Sequence, residues 1–144
     1  MSLATFDSQE LERFTRAFEE LFYADDPASM TSYYTEDAQL MAEGMEPIRG
    51  HVAIGQFWRA AIDRATAAKA RRTIQLHESS SSGDLGYALC TVTVEIPGSG
   101  GTTGTRIAVW DATIWQRDPG GQWRIAVDIS TPLPRDQSHE AAEG

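Results

Sequence analysis

The sequence predicts an α+β fold in which helices come first and a meandering antiparallel sheet follows. Two observations predict it. In the first half, apolar residues recur at helical spacing behind capping signals. From residue 73 onward, long runs rich in Val, Ile, Thr and Trp are separated by the turn-forming stretches "SSSSG", "PGSGGTTG" and "DPGG". With 144 residues the chain is one ordinary domain in size, enough for a real core and a single cavity.

Each element has its own signal. Asp7 with Glu10 reads as a capping box ahead of Leu11, Phe14, Phe18, Leu21 and Phe22, which share one helical face, so a first helix is expected from about Ser8 to Ala24. Asp26 followed by Pro27 announces a second, shorter helix that ends near "YYTED". "AQLMA" reads as a short strand and "EGMEPIRG" as a turn-rich connection. Ile54, Phe57, Trp58, Ala61 and Ile62 then mark a third helix, with the "KARR" cluster at Lys69–Arg72 as its solvated end. Four strands follow: "RTIQLHES", "DLGYALCTVTVEI", "TRIAVWDATIWQR" and "QWRIAVDIST". One domain over residues 1–131 and a mobile tail over 132–144 are expected, because "PLPRDQSHEAAEG" has little to bury.

Composition narrows the function. A net charge of −9 opposes binding to a phosphate backbone, so nucleic acid is not an expected partner. No apolar run reaches the roughly 20 residues that span a bilayer, and the N-terminus lacks a signal-peptide pattern; no membrane association and a cytoplasmic location are expected. A lone cysteine, Cys90, rules out an internal disulfide and a Cys-based zinc site and reads as a core thiol. No two histidines have metal-ligand spacing, so neither metal nor cofactor is expected.

The strand "RIAVWDATIW" carries Asp111 at its centre, among residues typical of a sheet core. If Pro119 and Gly120 form the tip of the last hairpin, Ile114 faces Ile125, Ala112 faces Val127 and Trp110 faces Ile129, giving one apolar face. The other face then sets Asp111 directly across from Asp128. Opposed carboxylates are destabilising unless they share a proton or a cation, and a shared proton yields a carboxylic acid able to donate at neutral pH. The alternative is a wet face with both aspartates solvated or tied to Arg124 or Arg106. The apolar face, with Trp110, Ile114, Trp123, Ile125 and Ile129, needs a cover of helices or of a second subunit.

"YYTEDAQLM", "PIRGHVAIGQFWRAAID" and "WQRDPGGQWRIAVDIST" carry a resemblance over roughly residues 8 to 131, most specifically in Y-x-x-D-A, G-x-x-A-I-x-x-F-W and G-x-W-R-I-x-x-D. They resemble the nuclear transport factor 2-like superfamily, in particular its SnoaL-like and ketosteroid-isomerase-like branch. The resemblance implies a cone-shaped α+β barrel: three N-terminal helices packed on a strongly curved, mainly antiparallel sheet, an apolar cavity inside and dimerisation through the outer surface of the sheet. Ketosteroid isomerase uses an aspartate base with a tyrosine and a protonated aspartic acid as oxyanion donors. Here the base position falls at Ala42, beside Glu43, the oxyanion tyrosine at Phe18, a supporting tyrosine at Trp58, and the acid close to Ala112, one residue from Asp111. Steroid isomerisation by that set is therefore not expected. SnoaL-type cyclases, which the resemblance implies use an aspartate and a histidine of the sheet without metal, fit more closely.

The expected function is a cofactor-independent isomerase, cyclase or lyase acting on an apolar carbonyl-containing small molecule, with a non-catalytic ligand-binding or dimerising module as the alternative. Asp128 is the candidate acid or base, Asp111 its tuning partner and His77 a further proton-transfer candidate that is either solvent-exposed or pocket-facing. Phe18, Tyr34, Glu43, Trp58 and Trp115 are the candidate substrate-binding residues, and a homodimer is the expected assembly.

Overall fold

The computed structural model describes residues 8–133, with side chains from residue 13 onward. The expected capping box, Leu11 and residues 134–144 of the expected tail lie outside the described residues or side chains.

Helix α1 (Ser8–Tyr23) is followed by α2 (Pro27–Thr31), whose N-cap Asp26 accepts hydrogen bonds from the Ser29 amide at 3.1 Å and the Ser29 hydroxyl at 2.7 Å. Helix α2 thus ends just before "YYTED", strand β1 (Tyr34–Ala42) takes up that segment from Tyr34, and a two-residue β2 (Ile48–Arg49) pairs with it. Helix α3 (Gly50–Ala68) closes on Lys69, whose left-handed conformation lets its amide bond the carbonyls of Ala65 and Thr66. The long strands are β3 (Arg71–Ser82), β4 (Leu85–Ile96), β5 (Thr105–Arg117) and β6 (Trp123–Pro132). The "KARR" cluster is thus divided: Lys69 caps the helix, whereas Arg71 and Arg72 open β3.

One six-stranded sheet runs in the order β2-β1-β6-β5-β4-β3, antiparallel except for the parallel β1–β6 pair. It curves around the helices as a cone. Met30, Tyr34, Ala38, Ile54, Trp58 and Ile62 are buried against Trp115, Trp123 and Ile125, and Phe14, Phe18 and Leu21 of α1 pack on this core. Cys90 is buried. Among the described residues no helix is long and apolar enough to cross a membrane.

The last hairpin departs from the expected register in two steps. Its loop holds three residues, Pro119–Gly121, because the Gly121 amide bonds the Asp118 carbonyl at 2.8 Å and Gly121 then takes a left-handed φ of 86°, so that Arg117 pairs with Trp123. Next, between the Trp115–Ile125 and Ile114–Val127 pairs, Ala126 is an extra residue with no partner, a β-bulge. Each step shifts the pairing by one. Between them, Trp123 and Ile125 turn to the concave side and are buried, which corrects the expected apolar face; Trp110, Ile114 and Ile129 remain outside. Past the bulge the two shifts combine: Asp111 pairs with Ser130 and Asp128 with Thr113. The aspartates are diagonal neighbours on one face, not directly opposed.

Candidate active site

That face is the inside of the cone. A cavity of about 780 Å³ lies between α3 and the sheet. Its walls are apolar: Phe22, Leu40, Phe57, Trp58, alanines of α3, and the inward row of Val92, Val94, Ile107 and Val109. Asp111, Asp128 and Ser130 line it from the sheet, Arg72 comes from the start of β3, and Arg64 from α3.

Asp128 is 7% exposed and accepts a 2.7 Å hydrogen bond at Oδ2 from the Tyr34 hydroxyl, which is itself buried at the start of β1. The Tyr34 oxygen in turn accepts from the Trp58 indole N–H at 3.2 Å. Burial, and then the charge and hydrogen bond of Asp128, hold the Tyr34 phenol well above its ordinary range, so it remains a donor. Asp111 is raised well above the usual carboxylate range, first by burial, then by the neighbouring charge of Asp128 and the hydrogen bond the two carboxyls share; Arg72 partly offsets this. Raised in this way, Asp111 favours its protonated form, an acid set beside the Asp128 carboxyl. Cys90, paired with Asp111 across the β4–β5 ladder, is pushed up to about 12 by burial and the aspartates, so it stays a thiol.

The other expected residues are divided. Trp58 lines the cavity and steadies Tyr34, while Tyr34 bonds Asp128 from behind the wall. Phe18 packs edge-on against Trp58 at 5.3 Å and Tyr34 at 6.2 Å, a supporting position outside the lining. Trp115 is buried on the far side, its indole N–H bonded to Thr113 at 2.8 Å and its ring 6.0 Å from Phe14; it is core, not ligand shelf. Glu43 is exposed after β1 and does not line the cavity. His77 sits at the irregularity between Leu76 and Glu78 in β3, is exposed, contacts the Thr91 hydroxyl and packs at a tilt against the Trp110 ring at 5.3 Å. Thr91 and Trp110 pair on the convex side, so His77 is on the wrong face to exchange protons with the aspartates.

Two buried charges were not anticipated. Glu19 of α1 and Arg72 form an ion pair at 3.1 Å, with side chains 11% and 10% exposed, and the Arg72 guanidinium lies 4.9 Å from the Phe22 ring and 5.2 Å from the Trp58 ring. In the sequence Arg72 is hidden in "KARR", which reads as solvent-facing; alternation along β3, with Arg72, Ile74 and Leu76 all on the inner side, is the signal that turns it inward. No group of three or more His, Cys, Asp or Glu among the described residues is arranged to hold a metal ion.

Comparison with known proteins agrees with this architecture. The family model of the SnoaL-like domain matches residues 11–125. The chain belongs to the SnoaL-like family. Among solved structures, this SnoaL-like chain is similar to a ketosteroid isomerase-like protein from Erwinia carotovora atroseptica, at 15% identity and a TM-score of 0.67 over 85% of this chain and 93% of that one. It is similar to an NTF2-like family protein from Streptomyces avermitilis, provisionally named a dehydratase, at 14% identity and a TM-score of 0.68 over 88% and 95%. It is similar as well to a protein from Xanthomonas campestris, provisionally named a calcium/calmodulin dependent protein kinase II association domain, at 14% identity and a TM-score of 0.66 over 90% and 90%. At such identities the likeness is one of fold. No curated protein matches the sequence.

Proposed function

We propose that this SnoaL-like protein is a cofactor-independent isomerase, cyclase or lyase that moves a proton on an apolar, carbonyl-containing small molecule. The observation that carries the reading is the neighbouring Asp111 and Asp128 carboxyls in the wall of a largely apolar cavity, with Asp128 held by the Tyr34 hydroxyl at 2.7 Å. In the proposed step, the Asp128 carboxylate takes a proton from the carbon next to the carbonyl, and Asp111 gives its proton to the carbonyl oxygen, leaving a neutral enol. Asp128 is then the acid and Asp111 the base, and return of the proton to a different carbon, closure onto a second carbonyl or loss of a leaving group would complete the three reaction classes. Tyr34 keeps Asp128 oriented through the 2.7 Å hydrogen bond.

A simple enolisable ketone, 2-tetralone, tests this. In D2O, proton NMR should record exchange of its α-protons accelerated by the protein, with the acceleration falling about 10²- to 10⁴-fold in Asp128→Asn while the ketone still binds. Equal exchange with the wild type and Asp128→Asn would overturn the reading in favour of a non-catalytic binding module. That second reading has its own support: the resemblance to ketosteroid isomerase implies Ala42, Phe18 and Trp58 at the positions of its base and tyrosines.

We also propose a homodimer through the convex side of the sheet, where Trp110, Ile114, Ile129 and Tyr87 are each 38% to 40% exposed. The association domain named for the Xanthomonas relative lends this indirect support.

A further inference from the structure

Arg72 is an unusual wall residue for an apolar cavity. A guanidinium carries five N–H donors and no acceptor and is always charged, so burial without matching acceptors leaves donors unmet. Its one close counter-charge, Glu19, lies 3.1 Å away but off the hydrogen-bonding direction: Arg72 Nη1 and both Glu19 carboxyl oxygens are buried without a hydrogen-bond partner among the described residues. The Phe22 and Trp58 rings fix the guanidinium without supplying acceptors. The same Trp58 whose face carries Arg72 reaches, through its N–H and Tyr34, to Asp128, so the cation and the acid pair are one indole apart along the wall.

We infer that Arg72 reads an anionic oxygen on the ligand, and that the substrate class is therefore apolar monoacids, carboxylates or acidic enols with one charged group, held by that group beside Asp111 and Asp128. This rests on the reading of the cavity as the ligand site. The charges facing Arg72 allow it. Asp111, raised well above the usual carboxylate range, resists ionising beside Asp128, Arg64 adds a positive charge to the lining, and Glu19 is the acid paired with Arg72. Burial raises Glu19 above the ordinary carboxylate range although Arg72 opposes the shift, so Glu19 is a reluctant counter-ion. A ligand oxygen entering from the cavity would meet the donors that Glu19 leaves unmet. The anion would also direct the uncharged part of the ligand along Trp58 toward the aspartates.

A matched pair of probes tests this: 2-naphthoate and 2-naphthalenemethanol, which share the ring and differ in the charged group, each displacing the neutral fluorescent reporter N-phenyl-1-naphthylamine. The wild type should bind naphthoate at least tenfold more tightly than the alcohol. Arg72→Gln should abolish that preference and leave the reporter's affinity within about threefold. Because Arg72→Gln strands Glu19, the double variant Glu19→Gln/Arg72→Gln provides a second route to the same answer, and retained reporter binding shows that the cavity is intact. Glu19→Gln alone should strengthen naphthoate binding, since it removes the competing carboxylate. Naphthoate no tighter than the alcohol, or a preference that survives in the double variant, would overturn the role of Arg72 while leaving the cavity reading in place. Failure of the wild type to bind the reporter or either naphthalene would remove the cavity reading, and this inference with it.

Discussion

The two faces of the β5–β6 ribbon are built from similar residues and end in opposite environments. The concave face carries Asp111, Thr113, Trp115, Trp123, Ile125 and Asp128, most of them buried. The convex face carries Trp110, Ile114 and Ile129, each well exposed, with His77 tilted against Trp110. The carboxylates are inside and much of the large apolar surface is outside, the reverse of a simple partition rule. An acid pair is tolerated inside because each member has partners: the Tyr34 hydroxyl bonds Asp128, and Asp111, raised by burial so that its uncharged form is favoured, shares a hydrogen bond with Asp128. An apolar patch is tolerated outside when a second copy covers it, as the proposed dimer requires.

The bulge at Ala126 is what assigns residues to these faces, so its removal should have the largest effect. Deleting Ala126 shifts either Trp123 and Ile125 or Asp128 and Ser130 to the wrong side. We expect a loss above about 4 kcal/mol, read as loss of a cooperative urea transition and of dispersed amide NMR signals. A folded deletion protein of near-normal stability would mean that the register is not set there. Tyr34→Phe, next in size, removes the donor to Asp128 and the acceptor of the Trp58 N–H, and should cost about 1–3 kcal/mol in urea unfolding.

The pH dependence sharpens the comparison further, since only the concave face holds a carboxyl with a strongly raised value. Asp111 binds its proton more tightly folded than unfolded, so its stabilising contribution is complete below the unfolded value of about 3.9 and is lost as pH rises through the folded value. Wild-type stability should therefore decline as pH rises above the unfolded value, by at most about 1.4 kcal/mol per pH unit from this group. Asp111→Asn, which keeps a donor toward Asp128, should flatten the decline; Glu19, also raised, leaves a residual slope. Parallel curves for the two proteins in urea titrations would argue against a raised Asp111. The smallest effect on folding belongs to the convex face. Trp110→Lys should change the unfolding free energy of the chain by no more than about 0.5 kcal/mol, yet convert a sedimenting dimer to monomer.

Local chemistry explains what could be read early. Asp26 caps α2 through Ser29, and the spacing of Ile54, Trp58 and Ile62 draws the buried stripe of α3. The approximate location of the acid pair was legible for a less direct reason: two register shifts of one residue each restore the side on which Asp128 points. The segment between the shifts misled for the same reason, because a period of two inverts with each extra residue and neither the three-residue loop nor Ala126 has a compelling composition signal. Tyr34 read as the end of a helix because its strand partner, Ile125 of β6, is remote in the chain. Arg72 took the covered side against expectation and His77 the exposed one of its two alternatives, since alternation says which residues share a face and not which face is covered.

The sequence by itself determined the order of the helices and long strands, the Asp26 cap of α2 and the presence of two aspartates in core-like strands, all properties of neighbouring residues and their periodicity. Only the tertiary structure decided that Asp128 meets Tyr34, that Arg72 is drawn under Phe22 and Trp58 beside Glu19, and that His77 is left outside. Those outcomes depend on curvature, register and burial, which are set by contacts between distant parts of the chain. Desolvation and the charge of a neighbour, the two largest causes of the raised Asp111, exist only once the cone has closed.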